Sequence, residues 1–187
     1  LGSLILVAGV VKKEMENNEK IRKFKSMTYQ EAIAEIKTPE QTEWYVRNYI
    51  IPKENDIAKS FKSIHETRDG DCSEAIVAAA ALLSDDGYPP IYLVMEKDNQ
   101  KPGHGVFLYK KDGKWGTIGI NSKDNSSPKY ENLQQIAKNL DYDKFALRNI
   151  REDIIPNWIS TERSLFLTKE ERSKIELELA PYTRVKK

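Results

Sequence analysis

Cys72 is the only cysteine in the chain, and it stands where a turn signature gives way to an Ala-rich run. Asp69-Gly70-Asp71 precedes it, and the apolar residues after it are spaced as in a helix that continues to about Ser84. Unpaired N–H groups and the helix dipole favour a thiolate at such a position, and the same N–H groups could hold an oxyanion. The pattern predicts a nucleophilic cysteine, and the competing interpretation is an ordinary buried thiol.

Two histidines could share the proton of this thiol, and His104 is the better candidate. It opens a predicted strand between Gly103 and Gly105, and these glycines let backbone and ligand approach closely. His65 falls in a predicted loop and is the weaker candidate. We therefore expect Cys72 and His104 to form a thiolate–imidazolium pair.

A hairpin predicted downstream of His104 suggests a third member of the site. Asp112-Gly113 is a favoured pair for a two-residue hairpin loop, which sets Lys111 opposite Lys114. The same register, continued along both strands, sets His104 opposite Asn121, with their Cβ atoms roughly 5 Å apart. The Asn121 amide could then accept a hydrogen bond from the imidazole and fix its orientation.

Two alternatives to this role for Asn121 remain open. A bulge at Gly116 or Gly119 would break the register before it reaches His104. Asn121 could also be a turn or strand-end residue that bonds its own backbone. A thiolate–imidazolium pair needs orientation more than a second negative charge, so an Asn in the third position is chemically workable.

The elements that must position these residues are indicated by capping signals and periodicity. Capping boxes at Thr28 and Thr38 predict two short helices ahead of the cysteine. After the cysteine helix the pattern becomes β, and a later amphipathic stretch and a capped segment predict two more helices. The predicted strands are Ile91–Met95, Val106–Tyr109 and Lys114–Ile120, and the predicted helices are Tyr130–Leu140 and one from Thr168 to just before Pro181.

Length and composition limit the classes of function. The 187 residues suit one domain with modest extensions, divided here into an N-terminal segment (1–25), a catalytic domain (26–150) and a C-terminal extension (151–187) that packs on the domain. The net charge of +1 and the lack of a phosphate-loop motif give no support to a nucleic-acid or nucleotide partner. The sequence lacks paired Cys or His ligands, so we expect no metal and no cofactor.

The N-terminal segment begins with an apolar run, Leu1 to Val11, that ends at Lys12-Lys13. The run is too short to span a bilayer by itself. Its start at Leu favours a truncated signal or anchor over a cloning remnant or an ordinary buried element. On that interpretation the domain works at a membrane surface or outside the cytoplasm, although a cytoplasmic location fits the other two.

Taken in order, these motifs resemble the transglutaminase-like superfamily, and most of all the bacterial and archaeal transglutaminase-like cysteine peptidases. The resemblance covers about residues 27–150 and neither end. The motifs that carry it are Thr38-Pro39-Glu40, Gly70-Asp71-Cys72, His104-Gly105-Val106-Phe107-Leu108-Tyr109 and Lys114-Trp115-Gly116-Thr117-Ile118-Gly119. It implies an α+β, papain/transglutaminase-like core, in which the helix bearing the nucleophilic cysteine packs on an antiparallel β-sheet.

The resemblance also implies roles for the three candidate residues. Cys72 would be the nucleophile, His104 the acid and base, and Asn121 would stand where the family commonly has Asp. The implied activity is that of a cysteine hydrolase or acyltransferase acting on amide bonds of a peptide or protein substrate through a thioester. The alternative is a catalytically inactive module of the same fold that binds a peptide or a cell-surface polymer.

Overall fold

The computed structural model describes residues 2–55, 58–98, 100–150 and 183–186. Over these residues the chain is a mixed α+β fold, with helices packed on an antiparallel sheet. The coarse fold class expected from the sequence is therefore confirmed.

Helices dominate the first half of the fold, and strands dominate the second. The helices are α1 Gly2–Ser26, α2 Tyr29–Glu35, α3 Pro39–Asn48, α4 Phe61–Thr67, α5 Cys72–Leu83 and α6 Leu133–Asn139, with 3₁₀ turns at Ser84–Asp86 and Ser122–Asp124. The strands are β1 Ile51–Pro52, β2 Asp69–Gly70, β3 Ile91–Lys97, β4 Gln100–Lys111, β5 Lys114–Ile118, β6 Ser126–Tyr130, β7 Lys144–Asn149 and β8 Thr183–Arg184. Strands β1 and β2 form a short parallel pair, and the other six form one sheet in the order β6-β5-β4-β3-β7-β8.

The predicted helix starts are confirmed at α2, α3 and α5. The Thr28 and Thr38 side chains each accept a hydrogen bond from the backbone N–H three residues on. The Glu31 and Gln41 side chains in turn accept one from the backbone N–H of Thr28 and Thr38. These local bonds satisfy backbone N–H groups that a helix start otherwise leaves without a partner.

Helix α5 lies in the middle of the core. Every residue from Glu74 to Leu83 is buried, and the helix packs against β4. A Cβ at Gly105 would lie 2.7 Å from the Ile76 side chain, so the missing side chain allows the helix and the strand to approach closely. Because α5 is held against β4 in this way, its first residue, Cys72, is held with it.

The hairpin between β4 and β5 has the predicted register over part of its length. Lys111 pairs with Lys114, and the ladder runs to Phe107 opposite Ile118, where β5 ends. His104 lies beyond the end of this ladder, and on the other side of β4 it pairs with Met95 of β3. The predicted pairing of His104 with Asn121 is therefore not formed, because the chain leaves the sheet before the register reaches it.

The N-terminal segment is helical, and the described part of the C-terminal extension is a short strand. The N-terminal segment forms one 25-residue helix, α1, whose Phe24 is buried against the rings of Tyr45 and Tyr49. Among the described residues no helix is both long and apolar enough to cross a membrane. The helix expected from Thr168 lies outside the described residues, and of the C-terminal extension the strand β8 pairs with β7.

Candidate active site

Cys72 is the first residue of α5, with Asp71 as its N-cap. The Asp71 carboxylate accepts a hydrogen bond from the Ser73 N–H at 2.7 Å, and the Glu74 carboxylate accepts one from the Asp71 N–H at 2.8 Å. Neither of these two bonds uses the Cys72 N–H. The capping carboxylates therefore bond the N–H groups of Asp71 and Ser73. The Cys72 N–H lies at the helix start beside its own half-buried side chain.

Glu74 also bonds two residues that precede α4, Asn55 and Lys59. Its side chain is fully buried, and it accepts hydrogen bonds from the Lys59 N–H at 2.9 Å and from the Asn55 side-chain amide at 3.2 Å. A buried carboxylate with several N–H donors is stabilised where an unpaired one would be costly. Glu74 thus completes the capping box of α5 and also holds Asn55 and Lys59.

His104, on β4, contacts both remaining members of the site. Its imidazole interacts with the Cys72 side chain, and this interaction acts to raise the pKa of His104. Its Nε2 lies 3.0 Å from Asp124 Oδ1. Neither Nε2 nor Oδ1 has a well-aligned hydrogen bond to any described residue, so charge attraction is the main force across this contact.

Asp124 reaches the imidazole because of how the chain leaves the sheet. After β5 the backbone turns into the 3₁₀ segment Ser122–Asp124, which brings the Asp124 side chain beneath Gly119. A Cβ at Gly119 would lie 2.5 Å from the Asp124 Cβ, so only glycine fits there without a shift. This turn therefore brings Asp124 next to His104, although the two residues are far apart along the chain.

Asn121 contacts Asp124 rather than His104. Its backbone N–H and its side-chain amide both donate to Asp124 Oδ2, at 3.2 and 3.0 Å. Asn121 therefore orients the carboxylate from behind, and the Asp124 oxygen takes the position next to the imidazole that the sequence predicted for the Asn121 amide. The third member of the site was missed because the predicted hairpin strand was extended through the turn.

The electrostatics of the site favour a charged imidazole. Burial is the largest influence on His104 and opposes its ionisation, but the contacts with Asp124 and Cys72 outweigh it and raise the pKa of His104 to about 9. Burial likewise acts to raise the pKa of Asp124, and the contacts with His104 and Asn121 more than reverse it, so that this pKa is lowered. An imidazolium and a carboxylate are therefore the expected forms near neutral pH.

His65 is part of the core and has no contact with the Cys72 group. It lies in α4 rather than in the predicted loop, and its side chain is buried. Its Nε2 is 2.9 Å from the Met27 carbonyl oxygen, which can only accept, and Nδ1 is 2.7 Å from the Tyr45 hydroxyl, which can donate. Both ring nitrogens are thus used in packing α4 against its neighbours.

Tyr142 is a site residue that the sequence did not indicate. Its ring lies nearly parallel to the His104 imidazole, with ring centroids 5.9 Å apart and planes inclined by 14°. Burial raises the pKa of Tyr142, and the charges of Asp124 and Cys72 raise it further. The phenol therefore stays neutral beside the charged pair.

The arrangement has the parts needed for nucleophilic acyl chemistry. A sulfur at a helix start, a charged imidazole beside it and a buried carboxylate behind it form one continuous chain of contacts. Within the described ranges no group of three or more His, Cys, Asp or Glu side chains could hold a metal ion.

No protein-family model matches the chain, and no curated protein matches it in sequence. The function proposed for it therefore rests on the geometry of the site.

Proposed function

We propose that the chain is a cysteine-nucleophile enzyme that cleaves or transfers acyl groups at amide bonds of a peptide or protein. The observation that carries this proposal is the contact of His104 with both the Cys72 side chain and the buried Asp124 carboxylate. A core thiol has no need of an imidazole partner, and an imidazole held between a thiol and a carboxylate is the arrangement of a thiol nucleophile with its acid and base.

In the first half of the reaction, the Cys72 thiolate attacks the amide carbonyl and forms a carbon–sulfur bond. The carbonyl electron pair moves to oxygen, where the Cys72 N–H at the start of α5 is a donor for the oxyanion. The tetrahedral species collapses, the carbon–nitrogen bond breaks, and the His104 imidazolium gives its proton to the leaving amine. The product is a thioester on Cys72 with a neutral imidazole.

In the second half, water or an amine attacks the thioester carbonyl. His104 removes a proton from the attacking group, the carbon–sulfur bond breaks, and the thiolate–imidazolium pair is restored. Asp124 keeps the ring oriented and stabilises its charge throughout. Water as the attacking group gives hydrolysis, and an amine gives acyl transfer.

The papain/transglutaminase-like core and the membership of the transglutaminase-like superfamily are part of this proposal. The order of helix, strand and hairpin along the chain supports them, as does the Cys-bearing helix packed on an antiparallel sheet. An Asp beside the imidazole is what the resemblance implies for most members, and Asp124 lies there.

The test is the rate at which iodoacetamide alkylates the chain at pH 6, where a free thiol is almost wholly protonated. We expect the folded parent to react at least tenfold faster than the same chain in urea. The variant His104→Ala should lose this advantage, and Lys110→Ala, a control at an exposed residue of the same strand, should keep it.

A substrate assay then separates the two reactions. The parent incubated with a peptide library, with and without a primary amine, should give new amine termini, amine adducts or both, and Cys72→Ala should give neither. If alkylation of the folded chain is no faster than in urea and His104→Ala changes nothing, the enzyme proposal fails, and the binding module becomes the working hypothesis.

A further inference from the structure

Among the residues that the structure describes, Tyr142 is the aromatic side chain that stacks on the proposed acid and base. The ring and the imidazole are nearly parallel with centroids 5.9 Å apart, which is an offset-stacked arrangement. Neither the amide chemistry nor the contact with Asp124 requires a ring at this place. The position of Tyr142 therefore calls for its own explanation.

The backbone on both sides of Tyr142 is tied down. Its own N–H donates to the Ala137 carbonyl at 3.0 Å, and the next N–H, of Asp143, donates to the Glu96 carbonyl at 3.1 Å. The preceding residue, Asp141, has a left-handed backbone conformation with φ of 64° and forms an ion pair with Lys97. A turn held at three points fixes where the ring lies.

A neutral aromatic ring over an imidazolium has two physical effects. The negative face of the ring attracts the cation. The ring also keeps water away from that side of the imidazole, so that the attraction of Asp124 is not screened. The Tyr142 side chain is half-buried, so the ring forms the outer side of this contact.

We propose that Tyr142 is a positioning residue for the Cys72–His104 pair: its ring packs in an offset stack against the imidazole, fixes the plane of that ring and favours its charged form. This inference rests on the proposed function but goes beyond it, since it assigns a role to a residue outside the three that carry the chemistry.

The groups that face His104 come from three elements. Cys72 lies at the start of α5, Asp124 lies in the 3₁₀ turn, and Tyr142 lies between α6 and β7. On the remaining side His104 pairs with Met95 of β3, which carries no charge. The charge of Asp141 acts on the neighbouring Tyr142 phenol and helps to raise its pKa.

The experiment compares Tyr142→Phe, which keeps the ring, with Tyr142→Leu, which fills similar space without a ring face. The first readout is the titration midpoint of His104, followed by NMR of the labelled ring nitrogens, and the second is alkylation of Cys72 at pH 6. Tyr88→Leu is the control, because Tyr88 is half-buried against Tyr109 and away from the imidazole.

We expect the Phe variant and the control to keep the parent midpoint, and the Leu variant to titrate at lower pH and react about 3- to 10-fold more slowly. A parent-like Leu variant overturns the proposal. So does a Phe variant that behaves like Leu, because the hydroxyl rather than the ring face would then be responsible. Slower alkylation with an unmoved His104 midpoint also overturns it, since that pattern reports loosened packing only.

The NMR titration keeps the two proposals distinguishable because it requires no substrate. If the parent cleaves and transfers nothing but the midpoints move as expected, the proposed function fails and the role of Tyr142 stands. If the parent is active and the Leu variant has the parent midpoint, only the role of Tyr142 fails.

Discussion

Asp124 and His104 meet at 3.0 Å between Oδ1 and Nε2, and the Asp124 side chain is wholly buried at this contact. A buried charge is stable in a protein only when a partner offsets the cost of removing it from water. Each of the two groups thus stabilises the charged form of the other. This mutual dependence makes the contact testable from either side.

Replacement of Asp124 by Asn keeps the shape of the side chain and removes its charge. If the proposed reaction is correct, kcat/KM should fall by about 100-fold, because the imidazolium loses its charged partner and its orientation. Steady-state kinetics on a cleaved peptide measure the change. Asp112→Asn is the matched control, since its side chain is exposed in the loop of the β4–β5 hairpin; equal losses in the two variants would contradict a specific role for Asp124.

The pH dependence of activity should have an alkaline limb near the pKa of His104, which is raised to about 9. The leaving amine needs a proton from the imidazolium, so kcat/KM should decline as the pH rises through this value. In the Asp124→Asn variant the limb should move to lower pH, because the raising influence of the carboxylate is gone. A parent profile that falls near pH 6.5 would be inconsistent with the charged pair.

Stability should depend on pH through the same two groups. The pKa of His104 is raised on folding from its ordinary 6.5 to about 9, so its contribution is fully present below pH 6.5 and is lost as the pH rises through 9. The loss should be on the order of 2 kcal/mol. Urea unfolding at pH 6 and pH 9.5 measures it, and His104→Gln, which lacks the titrating group, should show a smaller difference.

At acid pH, folding stability should change with pH in the opposite direction. The pKa of Asp124 is lowered on folding, so its contribution is present above the ordinary value of 3.8 and is lost as the pH falls through the lowered value. Urea unfolding at pH 5 and pH 3 should show a smaller drop in Asp124→Asn than in the parent. Equal drops in both chains would contradict a charged Asp124 in the folded state.

Gly119→Ala should disturb the site without changing any of its functional groups. The added methyl would lie 2.5 Å from the Asp124 Cβ, so the 3₁₀ turn must shift, and we expect kcat/KM to fall about tenfold and stability by about 1–3 kcal/mol. In an Asp124→Asn background the same substitution should cause little further loss of activity, because both act on one contact. Full additivity of the two losses would show that Gly119 acts by another route.

Glu74→Gln should destabilise the fold more than the same change at another capping box. Both carboxylate oxygens of Glu74 accept N–H donors in a buried site, and the Gln amide would turn a donor towards one of them. We expect a loss of about 1–3 kcal/mol by urea unfolding. Glu31→Gln is the control, since Glu31 caps α2 at the surface, and it should lose less than half as much.

The sequence by itself determined the features that arise from residues close together along the chain. The capping boxes at Thr28 and Thr38, the turn before Cys72 and the Asp112-Gly113 hairpin all depend on bonds within a few residues. The α+β class, the helix carrying Cys72 and the strand carrying His104 could be predicted for this reason.

Only the tertiary structure decided which side chains complete the site. Whether Asn121 or Asp124 faces the imidazole depends on where β5 leaves the sheet. Because one 3₁₀ turn follows β5, Asp124 rather than Asn121 lies beside the imidazole. Tyr142 reaches the imidazole through a turn after α6 that is pinned to the end of β3. Such contacts join elements distant along the chain, and the packing of the whole sheet, rather than local periodicity, sets their geometry.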